Sequence, residues 1–193
     1  MKVVVHNNVS LDGVMQAPGG AEEDTRGGFE HGGWAHERGQ DPEILEALTA
    51  GFDDPGPLLF GRRTYEQFHS YWPQQADNPF SDVLNRARKY VASRTLSEPL
   101  PWENSVLLEG DAADAVAELK REPGNDIVIL GSGELVRSLL ARDVIDRLEL
   151  LIHPVVLGGG TRMFAAEAPR SDWRLTGTIA GQSGVILVTY ERA

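Results

Sequence analysis

DIVILGSGELVRSLL, residues 126–140, sets a strand, a glycine turn and a helix in immediate succession, and its reading decides the fold. The run Ile127, Val128, Ile129, Leu130 is apolar and mostly β-branched, as a buried strand is. Leu135, Val136, Leu139 and Leu140 then recur at helical spacing. Between them, Gly131, Ser132 and Gly133 put free backbone N–H groups at the positive end of a helix dipole, where an anion can sit. The same three residues also make an ordinary tight turn. The dinucleotide fingerprint GxGxxG asks for a third glycine where this chain has Val136. Its companion acid would be Glu149, but that residue lies in DRLELLIHPVV, where polar and apolar residues alternate, and reads as a solvent-facing strand position. A dinucleotide fold of that kind is set aside.

Composition bounds the rest. The chain has 193 residues, 41% hydrophobic and 24% charged, enough for one domain over 1–193 with a sizeable core. With 18 Lys and Arg against 29 Asp and Glu, the net charge of -11 repels nucleic acid and anionic membranes. There is no cysteine, which excludes disulfides, thiolate nucleophiles and zinc-thiolate sites. No signal peptide or bilayer-length apolar run is visible, so a cytoplasmic enzyme or binding protein is expected.

Working outward, KVVVHNNVSLDG is a first strand running into a turn. Residues 13–39 are glycine-rich, carry Phe29 and Trp34, show no sustained period and contain few apolar residues to hold them down. A connection of that length suits an active-site cover. Asp41 before Pro42 marks a helix start, with Ile44, Leu45 and Leu48 as its apolar face. PLLFGRRTYEQF is a second strand, glycine, helix junction. FSDVLNRA reads as a helix, KYVASRTL and SVLLEG as strands, and DAADAVAELKRE as an amphipathic helix with Ala115, Val116 and Leu119 inward. DRLELLIHPVVLGGG reads as a long strand, and WRLTGTIA with GVILVTYER as an antiparallel pair. The sum is an α/β fold on a mixed, mostly parallel sheet flanked by helices, closed by antiparallel strands.

Three strand ends now share one chemistry: FGRRT at 60–64, ASRT at 92–95 and LGSGE at 130–134. Ligands of open α/β sheets bind at the carboxyl ends of strands. There Thr64, Ser93 and Ser132 offer hydroxyls, and Arg62, Arg63 and Arg94 offer guanidinium forks for phosphate. Taken singly, each arginine reads equally as a surface charge.

The order of these motifs, SLDG, GRRTYE, SR, ILGSGEL and HPVVLGGGTRMF, resembles over nearly the whole chain the dihydrofolate-reductase-like fold. Within it, the resemblance is to the C-terminal reductase domain of RibD-type riboflavin-biosynthesis deaminase-reductases. It implies a single three-layer domain that binds NADPH and is commonly a homodimer. Gly61, Arg62 and Thr64 would lie near the phosphates, Ser93 and Arg94 near the adenosine 2′-phosphate, and Gly131, Ser132, Gly133 and Glu134 along the pyrophosphate. Asn8 and Ser10 would lie near the carboxamide. Two departures stand out. Glu134 replaces the arginine that folate reductases tend to have after the glycines. Leu130 replaces the glutamate that riboflavin-pathway reductases place before the turn, beside the substrate ribose, which weakens that substrate as an expectation.

On the substrate side, Asp12 is an acid facing substrate or, the preferred reading, an Asx-turn former before Gly13. Trp34 resembles the tryptophan that roofs the folate-reductase pocket, and reads equally as a core anchor. Asp41 falls near the folate enzymes' helix-borne carboxylate, yet an Asp before Pro42 is the expected N-cap. Thr161 resembles the threonine that bonds the substrate-side acid, and reads otherwise as a turn hydroxyl. His153 reads as a satisfied core histidine. His31 and His36 lack a ligand spacing, so no metal is expected. The resulting expectation is an NADPH-dependent reductase of a small conjugated or heterocyclic C=N or C=O substrate, pterin- or pyrimidine-like. The alternative is a non-catalytic nucleotide or small-ligand binding module on the same fold.

Overall fold

The computed structural model describes residues 1–36, 38, 41–50, 55–75, 77–164 and 166–193. Their elements are β1 (Val3–Ser10), α1 (Pro42–Thr49), β2 (Leu58–Gly61), α2 (Arg62–Tyr71), α3 (Pro79–Arg86), β3 (Lys89–Ala92), β4 (Ser105–Leu107), α4 (Ala112–Leu119), β5 (Ile127–Leu130), α5 (Gly133–Leu140), β6 (Arg147–His153), β7 (Trp173–Ala180) and β8 (Ile186–Arg192). They fall into two compact units, residues 1–4 with 51–146 and residues 5–50 with 147–193, which share strand β1.

In the first unit the strand order is β4-β3-β2-β5. All neighbours are parallel, with Leu59 opposite both Tyr90 and Ile129. Strands covered on both faces carry continuous apolar runs, which is how LLF and IVIL read. Phe60, Tyr65, Leu84, Val91 and Trp102 pack into one buried cluster, and the Tyr65 hydroxyl accepts the Trp102 N–H at 3.0 Å. Lys89 is fully buried on β3. Its ammonium donates to the carbonyls of Leu84 (2.7 Å), Asn85 (3.1 Å) and Ala87 (2.8 Å). Three donors thus close the open carbonyl end of α3. Helix α4 starts after Asp111, whose carboxylate accepts the N–H groups of Ala113 and Asp114. Val116 is buried as expected; the other buried residue is Ala113, while the expected Ala115 and Leu119 are half-buried.

In the second unit β6, β8 and β7 run antiparallel, with Leu150 opposite Val188 and Thr178 opposite the same residue from the other side. Helix α1 buries Ile44 against Leu151, Val185 and Leu187. The expected long strand through the glycines stops at His153. Pro154 follows, and a proline has no N–H to continue a ladder. The chain turns back along residues 11–15: Leu11 N–H meets the Val155 carbonyl (2.8 Å), Met15 N–H the Thr161 carbonyl (2.9 Å) and Met163 N–H the Gly13 carbonyl (2.9 Å).

Candidate functional site

In the first unit, two glycine turns are tied together by hydroxyls. Ser132 Oγ accepts the Gly61 N–H at 3.0 Å and donates to the Leu130 carbonyl at 3.1 Å, while Thr64 Oγ1 accepts the Ser132 N–H at 3.1 Å. Ser132 sits in the left-handed region, φ 55°. Gly131 has φ +60°, and a Cβ there would stand 3.0 Å from Thr64 Cγ2. The hydroxyls expected to meet a ligand are therefore engaged in holding the turns. Among the described residues no side chain caps α2 or α5, which leaves their first-turn N–H groups and dipole ends available to an acceptor.

The arginines divide. Arg62 pairs with Glu66 at 3.0 Å and Arg63 with Glu134 at 2.8 Å, both exposed. Such pairs contribute about 0–1 kcal/mol and open readily for a stronger anion. Among the described residues, exposed Arg94 has no ion-pair or hydrogen-bond partner. Its turn is shaped by Ser93 Oγ, which accepts the N–H groups of Thr95 (3.1 Å) and Leu96 (3.0 Å).

In the second unit, the SLDG turn is closed by Ser10 and not by Asp12 as expected. The Ser10 carbonyl accepts the Gly13 N–H at 2.9 Å and Ser10 Oγ accepts the Val14 N–H at 2.9 Å. The Asp12 carboxylate reaches across the fold instead, accepting the Ser10 hydroxyl (2.7 Å) and the N–H groups of Leu157 (3.1 Å) and Gly158 (2.9 Å). Those donors, the Ser10 hydroxyl first, hold its pKa down to about 2. Asp41 is a buried N-cap, accepting the N–H groups of Glu43 (3.2 Å) and Ser183 (3.0 Å). The Ser183 N–H is the main cause of its lowered pKa.

Gln16 escaped the sequence reading. It is buried, donates to the carbonyls of Asp24 (3.0 Å) and Arg26 (2.9 Å), and accepts the N–H (2.8 Å) and hydroxyl (3.0 Å) of Thr161. Its own carbonyl accepts the Trp34 indole N–H at 2.7 Å. A polar residue inside the apolar run VMQA was the available signal. Trp34 also meets His153 edge to face, centroids 5.2 Å apart. His153 is fully buried, with Nε2 2.8 Å from Asn8 Oδ1. Among the described residues it is only half satisfied, because Nδ1 has no hydrogen-bond partner there. Burial, and secondly the charge of Arg38, pushes its pKa down to about 4. A cavity of about 430 Å3 is lined by Gln16, Arg26, Phe29, His31, Gly160 and Thr161. Gly160 is required there, since a Cβ would stand 2.7 Å from the Phe29 ring.

No described helix is long and apolar enough to cross a membrane, and no described group of three His, Asp or Glu is placed to hold a metal. The chain is similar to two uncharacterized proteins of Bacillus subtilis (strain 168). YyaP is 25% identical, with 98% of this chain and 94% of that protein covered. YwjB is 28% identical, with 92% and 90% covered. The fold matches a crystal structure from Shewanella sp. PV-4 described as a "Putative riboflavin biosynthesis protein", with a TM-score of 0.76, 24% identity, and 100% of this chain and 99% of that chain covered. The RibD C-terminal domain profile matches residues 1–187, and with nearly the whole chain matched, this protein belongs to the RibD C-terminal domain family of reductase-like domains.

Proposed function

We propose that the chain is an NADPH-dependent reductase acting on a conjugated or heterocyclic C=N or C=O bond of a small pterin- or pyrimidine-like substrate. The observation that carries this reading is the pair of uncapped helix N-termini in the first unit, locked side by side by Thr64 and Ser132. Phosphate oxygens are the acceptors such a pair suits. The residues fit the group: Gly61, Gly131 and Gly133 let backbone approach, Arg62 and Arg63 lie in weak exposed pairs that phosphate can displace, and Arg94 suits a 2′-phosphate. Glu134 opposes anions, and its bond to Arg63 turns it aside. Bound NADPH supplies the hydride.

The chain's own contribution is binding and orientation. Asp12, held near pKa 2, and Asp41, also lowered, keep no proton to give at neutral pH. In this reading Asp12 fixes the loop at 157–158, while Trp34, Gln16 and Thr161 shape the substrate side. The working form is a homodimer, to be checked by sedimentation. The test is NADPH oxidation by the purified protein against a panel of pterins, pyrimidines and quinones. Turnover of one class with NADPH preferred over NADH is expected, and NADPH binding with no turnover of any class would favour the non-catalytic alternative.

A further inference from the structure

His153 and Asn8 form a pair whose polarity can be worked out. His153 is fully buried, its Nε2 lies 2.8 Å from Asn8 Oδ1, and its Nδ1 is buried without a hydrogen-bond partner among the described residues. A neutral imidazole carries one N–H and one bare nitrogen. Were the proton on Nδ1, a donor would be buried unpaired, the costlier kind of orphan, and Asn8 would have to turn its NH2 toward Nε2. With the proton on Nε2, the orphan is a lone pair, and the N–H has an acceptor in Asn8 Oδ1. Trp34, edge to face on the ring at 5.2 Å, holds the imidazole in place, and its own N–H is fixed on the Gln16 carbonyl. The Asn8 amide is thereby turned one way. Its oxygen faces His153, and its NH2 points away from the ring, with no hydrogen-bond partner among the described residues. Asn8 itself is half-buried, so a ligand can reach it.

We infer that Asn8 is a hydrogen-bond donor to a carbonyl oxygen on a flat heterocycle bound by this protein, and that His153 is the positioning residue that sets this polarity. The inference rests on the reductase reading for its occupant, because two heterocycles then carry such an oxygen: the cofactor's carboxamide and the ring carbonyl of a pterin-like substrate. The lock does not depend on which of them it is. An acceptor-lacking analogue, such as a diaminopteridine in place of a 2-amino-4-oxopteridine, is rejected by an NH2 that it cannot satisfy.

Nitrogen-15 NMR of the histidine ring tests the lock without any ligand. Nδ1 must appear unprotonated and Nε2 protonated at neutral pH, and the reverse overturns the inference. Calorimetric titration then locates the oxygen. Asn8→Asp keeps the acceptor for His153 and replaces the NH2 with a carboxylate oxygen. It should weaken the oxygen-bearing ligand roughly tenfold or more, the expected size for a lost hydrogen bond that leaves a repelled acceptor. Loss of NADPH affinity names the cofactor carboxamide. Loss of 2-amino-4-oxopteridine affinity with NADPH binding intact names the substrate carbonyl. His153→Phe should reproduce the loss in part and His153→Gln, which restores an N–H, should rescue it. Unchanged affinity for both ligands in Asn8→Asp overturns the inference while leaving the reductase reading intact. If the unmutated protein fails to bind NADPH, that reading falls, and the pteridine titration and ring tautomer still decide the role of Asn8.

Discussion

Arg94 and His153 show how differently single residues carry function and stability. The Arg94 guanidinium is exposed and unpaired among the described residues, so its removal leaves no orphan behind. In the proposed cofactor site it forms a charge-assisted bond of about 1.5–3 kcal/mol with a 2′-phosphate. Arg94→Ala should therefore weaken NADPH binding about tenfold or more and leave NADH binding nearly unchanged, as calorimetry with both cofactors will show. His153 acts on the fold itself. Its folded pKa of about 4 lies below the ordinary 6.5 because burial disfavours the charged ring. As pH falls through 6.5 the unfolded chain takes up a proton that the native chain refuses until about 4. The stability tied to this group is thus complete above 6.5 and drains away between 6.5 and 4, by on the order of 3 kcal/mol. Urea titrations at stepped pH should show this slope, and His153→Phe should flatten it.

At the scale of elements, the turn before α5 and the loop after β1 make opposite demands. Gly131 has φ +60°, and a Cβ added there would stand 3.0 Å from Thr64 Cγ2, which would have to give way. Gly131→Ala should cost about 1–2 kcal/mol for the left-handed backbone, with a further loss from the clash. Pairing it with Thr64→Ser, which keeps the hydroxyl and removes the methyl, should recover the clash and not the backbone part; thermal melts of the two single variants and the double variant separate them. The loop over 13–39 is better anchored than its composition implied. Val14, Met15, Ala17, Phe29 and Ala35 are buried, and Trp34 adds its bond to Gln16. Residues 37 and 39 of that stretch lie outside the described residues. Trp34→Ala should accordingly destabilise the protein by about 2 kcal/mol or more, a larger effect than a mere cover would give. Hydrogen exchange should find residues 14–17 as protected as β5, and the region of the exposed Gly27 and Gly28 fast until a ligand slows it.

For the molecule as a whole, the function class follows from small departures as much as from the shared frame. Leu130 packs its side chain partly against the Phe60 cluster, and a leucine cannot accept a ribose hydroxyl. Leaving that hydroxyl unpaired costs roughly 1–3 kcal/mol, so turnover of the ribosylamino-pyrimidine of riboflavin synthesis should be far below that of the preferred substrate in a direct assay. The architecture was legible because apolar runs and helical periods report burial directly: IVIL, LLF and the 135–140 stripe fell where their spacing put them. The cap at Asp41 was legible for the same local reason, Asp before Pro. What stayed hidden were pairings across long separations. Gln16 with Thr161, Asp12 with Leu157, and Asn8 with His153 are each 145 residues apart, and no window of sequence brings them together.

That separation bears on how the chain comes off the ribosome. Strand β1 is made well before its partners: the Lys2 N–H bonds the Asp126 carboxylate 124 positions on, and the Val3 N–H that of Asp146, 143 positions on. During synthesis, β1 must wait for those partners until the segments that carry Asp126 and Asp146 have been made. Translation at about 5–20 residues per second makes that interval roughly 6–30 seconds. Chains dominated by such distant pairings also fold slowly once complete. The VVV stretch therefore needs shielding in the interval, and a nascent-chain stall placed before residue 126 should leave it open to chaperone capture and proteolysis that release of the full sequence prevents.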